Sequence, residues 1–406
     1  MAATKKGVWD LQQVRDKQLQ SEWSYGGYVD GEWWTWGHQD KGELGQNQTS
    51  SQYSSPKQVP GTWRDLSAMT SSFNAEGGIK SDGTLWTWGR NVGGLLGHGD
   101  VVERSSPVQV GTDTTWGGRD DEIFGPGNAK FLIGAGTSAH IIKADGTLWS
   151  WGYNSYGALG LNTSNPGGQR SAPTQVGTEN TWKSLGGTGT TIFGIKTDGS
   201  MWGWGGTNYG ILGLNQQASP SIQYSSPVQI PGTNWASVVG GAQNCGFTKT
   251  DGTAWMTGIN NYGMLGLNTI NDHRSSPTQI GTDTTWTQVT GGGEDYSFGV
   301  KTDGTAWAWG RNEAGLLGLN NGAGNPASVS SPTQIGTNTT WKFLSSKRNI
   351  SAGMKTDGSI WTWGSNGQIL GRNLPGPSYR SSPVQVPGTY HRMDTGQEAV
   401  VTIKAT

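Results

Sequence analysis

Short runs of alternating apolar and polar residues fill most of this chain, and pairs of tryptophans two residues apart are their most regular feature. In the segment F-G-I-K-T-D-G-S-M-W-G-W-G, one residue separates Trp202 from Trp204. Side chains two apart point to the same face of a β-strand, so this spacing predicts a strand with both indoles on one side. Asp198 and Gly199 separate that strand from the apolar run before it, which is the signal of a tight hairpin turn.

The phrase D-G-x-x-W-x-W-G recurs in six copies, and with the variant D-G-T-A-W-M-T-G it makes seven repeats at intervals of about 53 residues. One interval is lengthened by the insertion G-G-R-D-D-E-I-F-G-P-G-N. Repeats of this length made of short strands are typical of propellers, which have four to eight four-stranded blades. We therefore expect an all-β fold, a seven-bladed β-propeller of four-stranded antiparallel blades over residues 24–406. A short N-terminal extension, residues 1–23, precedes it. The first tryptophans of the phrase are Trp34, Trp86, Trp149, Trp202, Trp255, Trp307 and Trp361.

Four further segments complete each repeat. A Gly- and Asn-rich loop of the form W-G-x-N-x-x-G-x-L-G follows the tryptophan pair, and a stretch of variable length comes next. The element S-S-P-x-Q-(V/I) then predicts a strand whose proline is its first residue, where a missing N–H is tolerated. A fourth strand opens on another aromatic residue, and these residues are Trp63, Trp116, Trp182, Trp235, Trp286, Trp341 and Tyr390.

The sequence offers two ways to close the ring. The C-terminal A-V-V-T-I-K-A-T matches the strand that should precede the first D-G phrase, and S-Y-G-G-Y-V at residues 24–29 fits the same place. Closure by either segment removes exposed sheet edges. We favour the C-terminal strand in the blade that contains Trp34.

Composition makes tryptophan the main core residue. The chain has 22 Trp and a formal net charge of -1, and each indole can bury roughly 150–250 Å². The near-neutral balance argues against nucleic-acid binding. One cysteine, Cys245, excludes an intramolecular disulfide framework. We find neither a secretory signal nor an apolar stretch of membrane-spanning length, so we expect no membrane insertion.

The loop phrase W-G-x-N-x-x-G-x-L-G, the D-G hairpin before it and the period near 50 resemble the regulator of chromosome condensation repeat. The resemblance covers nearly all of residues 24–406 and implies the propeller fold. Members of that superfamily include a nucleotide-exchange factor for a small GTPase, a plant ultraviolet-B photoreceptor and a β-lactamase inhibitor. The resemblance therefore implies no single activity. This chain lacks the basic tail of the exchange factor and the G-W-R-H-T pentapeptide of the photoreceptor.

The leader differs from the repeats. Asp10 fits the N-cap of a short helix with a partial apolar stripe, which would gain stability by docking on the propeller or on another subunit. The phrase G-V-W-D-L-Q within residues 7–23 resembles segments of structural and tail proteins of marine tailed bacteriophages. That resemblance implies anchoring to other virion proteins. The anchoring side chains would be Trp9, Leu11, Val14, Leu19 and Trp23.

Catalytic chemistry is not indicated by any motif. The D-G aspartates recur in every repeat, which favours a role in turn geometry over one as a pair of general acid and base catalysts. No phosphate-binding loop is present. We therefore expect no enzyme activity, no cofactor and no metal site. The histidines lack metal-ligand spacing; they are His38, His98, His140, His273 and His391.

The variable loops between L-G and S-S-P are the better functional candidates, because corresponding loops of a propeller share one face. Arginine and tyrosine side chains near the S-x-P element could form a ring for anionic or sugar ligands, or could simply cover the blade rim. These residues are Arg104, Arg170, Arg274, Arg380, Tyr53, Tyr224 and Tyr379. The insertion adds Asp120, Asp121 and Glu122, which form either a cation or partner site or a solvated acidic loop.

Two functions fit these observations. The first is a non-enzymatic phage virion protein, a tail, fibre or capsid-surface component that displays the propeller for contact with a host-surface glycan or protein. The second is a free, soluble interaction module that binds a protein or glycan through its loops. We favour the virion protein on the strength of the leader.

Overall fold

The computed structural model describes residues 30–49, 51–66, 68–69, 75–117, 129–135, 137–163, 168–216, 222–293, 295–321, 327–347, 350–365, 370–371, 379–396 and 399–405. Within these ranges the chain is all-β. Its only helices are single 3-10 turns at Val92–Gly94, Ser155–Gly157, Asn208–Gly210, Asn261–Gly263 and Glu313–Gly315.

The strands follow one another with short connections, as the tight turns and the small repeat predict. In chain order they are β1 (Gly31–Gln39), β2 (Ser51–Leu66), β3 (Ala68–Met69), β4 (Ala75–Lys80), β5 (Leu85–Gly89), β6 (Arg104–Gln109), β7 (Phe131–Ala135), β8 (Ser138–Ile142), β9 (Leu148–Gly152), β10 (Arg170–Gln175), β11 (Trp182–Gly187), β12 (Thr191–Lys196), β13 (Met201–Gly206), β14 (Gln223–Ile230), β15 (Trp235–Gly240), β16 (Asn244–Lys249), β17 (Ala254–Gly258), β18 (Arg274–Gln279), β19 (Trp286–Gly291), β20 (Tyr296–Lys301), β21 (Ala306–Arg311), β22 (Ser328–Gln334), β23 (Trp341–Lys347), β24 (Ile350–Lys355), β25 (Ile360–Gly364), β26 (Arg380–Val386), β27 (Arg392–Thr395) and β28 (Ala399–Ala405).

The sheets repeat one arrangement, an antiparallel meander of four strands that we call a unit. Strands β11–β14, β15–β18, β19–β22 and β23–β26 each form one such sheet. Strands β7–β10 form another, with the short β3 added in parallel beside β7. The seven-stranded sheet contains two units, because the long β2 pairs with β1 and then with β4.

Both ends of the described chain meet in one unit. Strand β28 pairs antiparallel with β1 along its whole length, from Gly31 opposite Ala405 to Gly37 opposite Ala399. Strand β27 lies on the other side of β28. The prediction that the C-terminal strand enters the unit of Trp34 is confirmed, so this unit joins the end of the chain to its beginning.

Two details of the predicted strands are wrong. The strand that opens on an aromatic residue belongs to the next unit, where it is the first and innermost strand: β7, β11, β15, β19, β23 and β27 contact one another in series. The proline of S-S-P lies inside the fourth, outermost strand, as Pro107 does in β6. The register with β5 shifts there, and an outer edge tolerates a residue without an N–H.

The hydrophobic core lies between units. One cluster joins Ile142 and Leu148 of unit β7–β10 to Trp182 and Trp204 of unit β11–β14. The two indoles meet edge to face at 5.9 Å, a favourable aromatic geometry. Because each unit completes its core with the next one, no unit buries its indoles alone.

A hydrogen bond accompanies this packing. The indole N–H of Trp204 donates to the carbonyl of Ala158 in the preceding unit at 2.8 Å. In unit β15–β18, where the second tryptophan is replaced, the hydroxyl of Thr257 donates to the carbonyl of Ile211. The same indole bond joins Trp88 to Glu43, Trp151 to Leu95, Trp309 to Met264 and Trp363 to Leu316.

One interface between units departs from the repeat by burying two carboxyl groups. Glu43 and Glu76 occupy positions that are apolar or small in most other units, and their exposed fractions are 5% and 2%. The Glu43 carboxylate accepts backbone N–H groups of Asp40 and Lys41, whereas Oε2 of Glu76 has no partner. Burial raises the pKa of Glu43 and, with the charges of Asp394 and Glu43, raises that of Glu76 well above its ordinary range.

We predict that Trp204→Phe lowers the free energy of unfolding by about 2–3 kcal/mol, because it leaves the Ala158 carbonyl without a donor and removes buried area. Trp202→Phe is the matched control: its indole N–H bonds the Ser200 hydroxyl at a half-buried position. Its loss should be below about 1 kcal/mol. Chemical denaturation measures both, and equal losses would contradict the importance of the bond between units.

Glu76 makes stability depend on pH. A carboxyl whose pKa is raised by folding contributes stability below its ordinary pKa of 4.5, and that contribution is lost as the pH rises through the folded-state value. We therefore expect Glu76→Gln to be more stable than the parent at neutral pH, with a flatter pH profile. Glu179→Gln, which changes an exposed carboxyl, is the control. Parallel profiles for the parent and Glu76→Gln would exclude this role for Glu76.

Candidate binding face

The antiparallel units give the molecule two unlike faces. One carries the D-G turns between second and third strands and the connections to the next unit, and we call it the turn face. The other carries the connections between third and fourth strands and the turns between first and second strands, and we call it the loop face. The described third-to-fourth connections are 40–49, 90–103, 153–163, 168–169, 207–216, 222, 259–273, 312–321, 327, 365, 370–371 and 379.

The D-G aspartates of the turn face hold the turns. Oδ1 of Asp198 accepts the backbone N–H and the hydroxyl of Ser200, at 2.9 and 2.7 Å, and that hydroxyl accepts the indole N–H of Trp202. The bonds from Ser200 lower the pKa of Asp198. The same relay links Asp82, Thr84 and Trp86; Asp145, Thr147 and Trp149; Asp251, Thr253 and Trp255; Asp303, Thr305 and Trp307; and Asp357, Ser359 and Trp361.

Lysines of the turn face pack on indoles. The ammonium of Lys196 lies 3.9 Å from the ring centroid of Trp202 and 5.0 Å from that of Trp182. It also pairs with Glu179. Such cation–π contacts engage the lysine charge inside the protein, where it stabilises the fold. Each of five further lysines lies between two indoles in the same way: Lys80, Lys143, Lys249, Lys301 and Lys355.

The loop face holds every exposed large hydrophobic side chain of the described residues. These belong to the third-to-fourth strand connections and are Val92, Val101, Val102, Tyr156, Tyr209, Ile222, Tyr262, Ile270 and Tyr379. Apolar side chains gathered on one face of a protein mark a contact surface more often than scattered ones do. This difference between the two faces therefore indicates the loop face as the candidate contact surface.

The predicted arginine and tyrosine ring has a common register. Arg104, Arg170, Arg274 and Arg380 each open a fourth strand and lie opposite the glycine that ends W-x-W-G or its variant. Tyr53 and Tyr224 take the same place in their units, opposite Gly37 and Gly205. The structure thus places these six side chains at equivalent points around the loop face.

Their contacts are unequal. Arg104 forms two hydrogen bonds with Asp100, at 2.8 and 3.1 Å, and lowers the pKa of that carboxyl to about 2. Arg274 pairs likewise with Asp272. Within the described residues, Arg170 and Arg380 donate only to the carbonyl of the residue before them. Two of the four guanidinium groups are therefore neutralised, which weakens the case for a ring that binds anions.

The tyrosines of the predicted ring differ as well. The hydroxyl of Tyr53 donates to the side-chain carbonyl of Gln48 at 3.1 Å, and Lys57 lies 5.7 Å from its ring centroid. Tyr224 is half-buried against two core clusters, so it contributes to packing. Tyr379 is 51% exposed. The leader residues Trp9, Leu11, Val14, Leu19 and Trp23 and the acidic residues Asp120, Asp121 and Glu122 lie outside the described residues.

Three tyrosines of the loop face were not among the predicted site residues. Tyr156, Tyr209 and Tyr262 are exposed, and each is the central residue of a 3-10 turn. The signal for them is the letter Y before the glycine of the loop phrase, in N-S-Y-G, T-N-Y-G and N-N-Y-G. It repeats in three consecutive units.

Burial also shifts the pKa of two side chains outside these faces. Burial lowers the pKa of His140 to about 3, and its ring contacts the Ser138 hydroxyl. Burial raises the pKa of the Cys245 thiol. The described part of the chain contains no cluster of three or more His, Cys, Asp or Glu side chains suited to a metal ion. Nor does it contain a helix with the length and apolar character needed to cross a membrane.

Comparison with known proteins agrees with this architecture. The model of the regulator of chromosome condensation (RCC1) repeat matches residues 82–116, 145–187 and 303–353. The ultraviolet-B receptor UVR8 of Arabidopsis thaliana is 25% identical over 363 residues, covering 73% of this chain and 78% of that protein. The mitochondrial RCC1 domain-containing protein RUG3 of the same plant is 26% identical over 358 residues, covering 83% and 75%.

A solved structure has the same fold over nearly the whole chain. The structure of yeast RCC1 (Prp20) bound to Kap60 superposes with a TM-score of 0.76 at 16% identity, covering 95% of this chain and 92% of that one. The repeat matches and this superposition concern the same strands, turns and glycine-rich loops that carry the geometry described above. This chain therefore has the β-propeller fold of yeast RCC1, and parts of it match the regulator of chromosome condensation repeat.

Proposed function

We propose that this protein is a non-enzymatic interaction module, a closed ring of seven blades that presents its loop face to a protein or glycan partner. The seven four-stranded units correspond to the blades, and the pairing of β28 with β1 completes one of them from both ends of the described chain. The observation that carries the proposal is the placement of all described exposed large hydrophobic side chains on one face.

The relatives support a binding role over a catalytic one. One is named as a receptor and one was solved in complex with Kap60. In this chain the recurring aspartates accept hydrogen bonds within their own turns, and the loop-face arginines Arg104 and Arg274 pair with aspartates. The hydroxyl beside each of these turn aspartates also accepts an indole N–H, as Ser200 does from Trp202, so the pair serves the turn.

The two arginines that have no carboxylate partner among the described residues, Arg170 and Arg380, provide a test. We expect the double variant Arg170→Ala, Arg380→Ala to weaken partner binding about tenfold or more, because a guanidinium group that pairs with no described carboxylate can donate to a partner. Arg104→Ala, Arg274→Ala is the matched control, in which each lost arginine already pairs with an aspartate. Its effect should be smaller.

The measurement uses the full chain immobilised for a glycan array and for pull-downs read by mass spectrometry. Binding of a repeatable partner that weakens only with the first pair supports the loop face. Binding that survives all four arginine changes would remove the arginines from the contact surface. Failure of both assays to yield any partner would contradict the interaction module.

The virion location and the anchoring by residues 1–23 stay predictions that rest on the leader alone. If the leader anchors the chain, deleting residues 1–23 yields a folded propeller that no longer joins particles. Circular dichroism checks the fold, and mass spectrometry of purified particles measures incorporation. A truncated protein incorporated at normal copy number would exclude the anchoring role.

A further inference from the structure

The loop face carries three tyrosines at one repeated position in consecutive units. Tyr156, Tyr209 and Tyr262 are 38%, 52% and 41% exposed. We call them the tyrosine arc. Each is the central residue of its 3-10 turn and has a left-handed backbone, with φ of 56°, 57° and 57°.

The turn does not need tyrosine. A bulky side chain at left-handed φ costs free energy, which Gly and Asn largely avoid. The unit β2-β4-β5-β6 has Gly93 at this position, with φ of 65°. Of the eleven non-glycine residues with positive φ in the described part, seven are Asn. None of the three rings belongs to the core clusters of the described residues, so neither the turn nor the core accounts for the tyrosines.

A polar group of the next unit lies beside the first of these positions. Gly206 lies beside Tyr156, and a Cβ built on this glycine would be 3.6 Å from Cβ of Tyr156 and 3.1 Å from the hydroxyl of Thr190. No side chain at Gly206 therefore covers that ring. In the next unit the position of Gly206 is taken by Ile259, whose N–H bonds the carbonyl of the exposed Gln243.

The neighbour of the third tyrosine, Tyr262, is an arginine whose charge is neutralised by carboxylates. The guanidinium of Arg311 lies 5.0 Å from the ring centroid of Tyr262. The same guanidinium pairs with Asp295 at 3.3 Å and with Glu313 at 2.6 Å. This end of the arc offers hydrogen bonds without an unbalanced positive charge, so it gives no preference to an anionic ligand.

We propose that the tyrosine arc binds a neutral oligosaccharide, a ligand class that deepens the proposed interaction module and rests on it. Exposed phenol rings provide rigid, amphipathic platforms on which the C–H faces of sugar rings can stack. The hydroxyl of Thr190 and the Arg311 group provide hydrogen bonds that orient the sugar hydroxyls. The described loop residues that follow the first two tyrosines are polar as well, L-N-T at 161–163 and L-N-Q at 214–216.

The test replaces each tyrosine by the residue that this chain prefers at left-handed φ. Tyr156→Asn, Tyr209→Asn and Tyr262→Asn remove the rings and relieve the backbone, so the melting temperature should hold or rise. Affinity for the sugar should fall about tenfold for each variant. The triple variant should show no binding.

The probes are neutral hexasaccharides of the cello, xylo, manno, malto and chito series, measured by isothermal titration against the full chain. Binding of at least one series, lost in the tyrosine variants, supports the proposal. Binding unchanged in the triple variant, no binding to any series, or tighter binding of sulfated than of neutral oligosaccharides overturns it.

A matched control separates this proposal from the broader function. Val101 and Val102 are exposed on the loop of a different unit, and Val101→Ser, Val102→Ser should leave sugar binding unchanged. If pull-downs instead capture a protein partner that the valine variant loses while no hexasaccharide binds, the interaction module stands and the sugar site is wrong. If neither assay yields a ligand, both fail.

Discussion

The hydrogen bond from a buried indole to a carbonyl of the preceding unit is the interaction on which the rest of this structure depends. Trp204 and the carbonyl of Ala158 form it across an apolar interface. An unpaired indole N–H or carbonyl buried there would cost free energy. The bond therefore specifies the distance and angle between neighbouring units, and repetition of one geometry curves the chain until β28 reaches β1.

The sequence predicted this architecture because its signals are local. The tryptophan spacing of two, the D-G turn and the period act over a few residues, and each recurs often enough to be read without an alignment. The assignment of strands to units was less accessible. The peptide between Ile230 and Trp235 looks like any other turn, although it is where one sheet ends and the next begins. Only long-range packing distinguishes the two cases.

The loop face was predictable as a surface but not in its details. The common register of the arginines follows from their distance to the S-x-P element. Whether an arginine is neutralised, however, depends on a nearby aspartate. Asp100 precedes Arg104 by four residues and Asp272 precedes Arg274 by two, and each pairs with its arginine. Both aspartates are visible in the sequence as H-G-D and N-D-H. The tyrosine arc was missed because a turn's φ value, and not its composition, makes tyrosine unexpected there.

The difference between the two faces has a physical origin. On the turn face, aspartates, hydroxyls, indoles and lysines bond one another in each relay, so a partner there would have to replace contacts that hold the strands together. On the loop face, the hydrogen bonds that join neighbouring units lie beneath the exposed turns. The bond from the Trp204 indole to the carbonyl of Ala158 is one of them. Side chains above that bond vary between units without loosening the ring. Position 257 shows the same tolerance, since a threonine hydroxyl there bonds the carbonyl of Ile211 in place of an indole. A scaffold held by bonds beneath its loops leaves those loops free to specify a ligand.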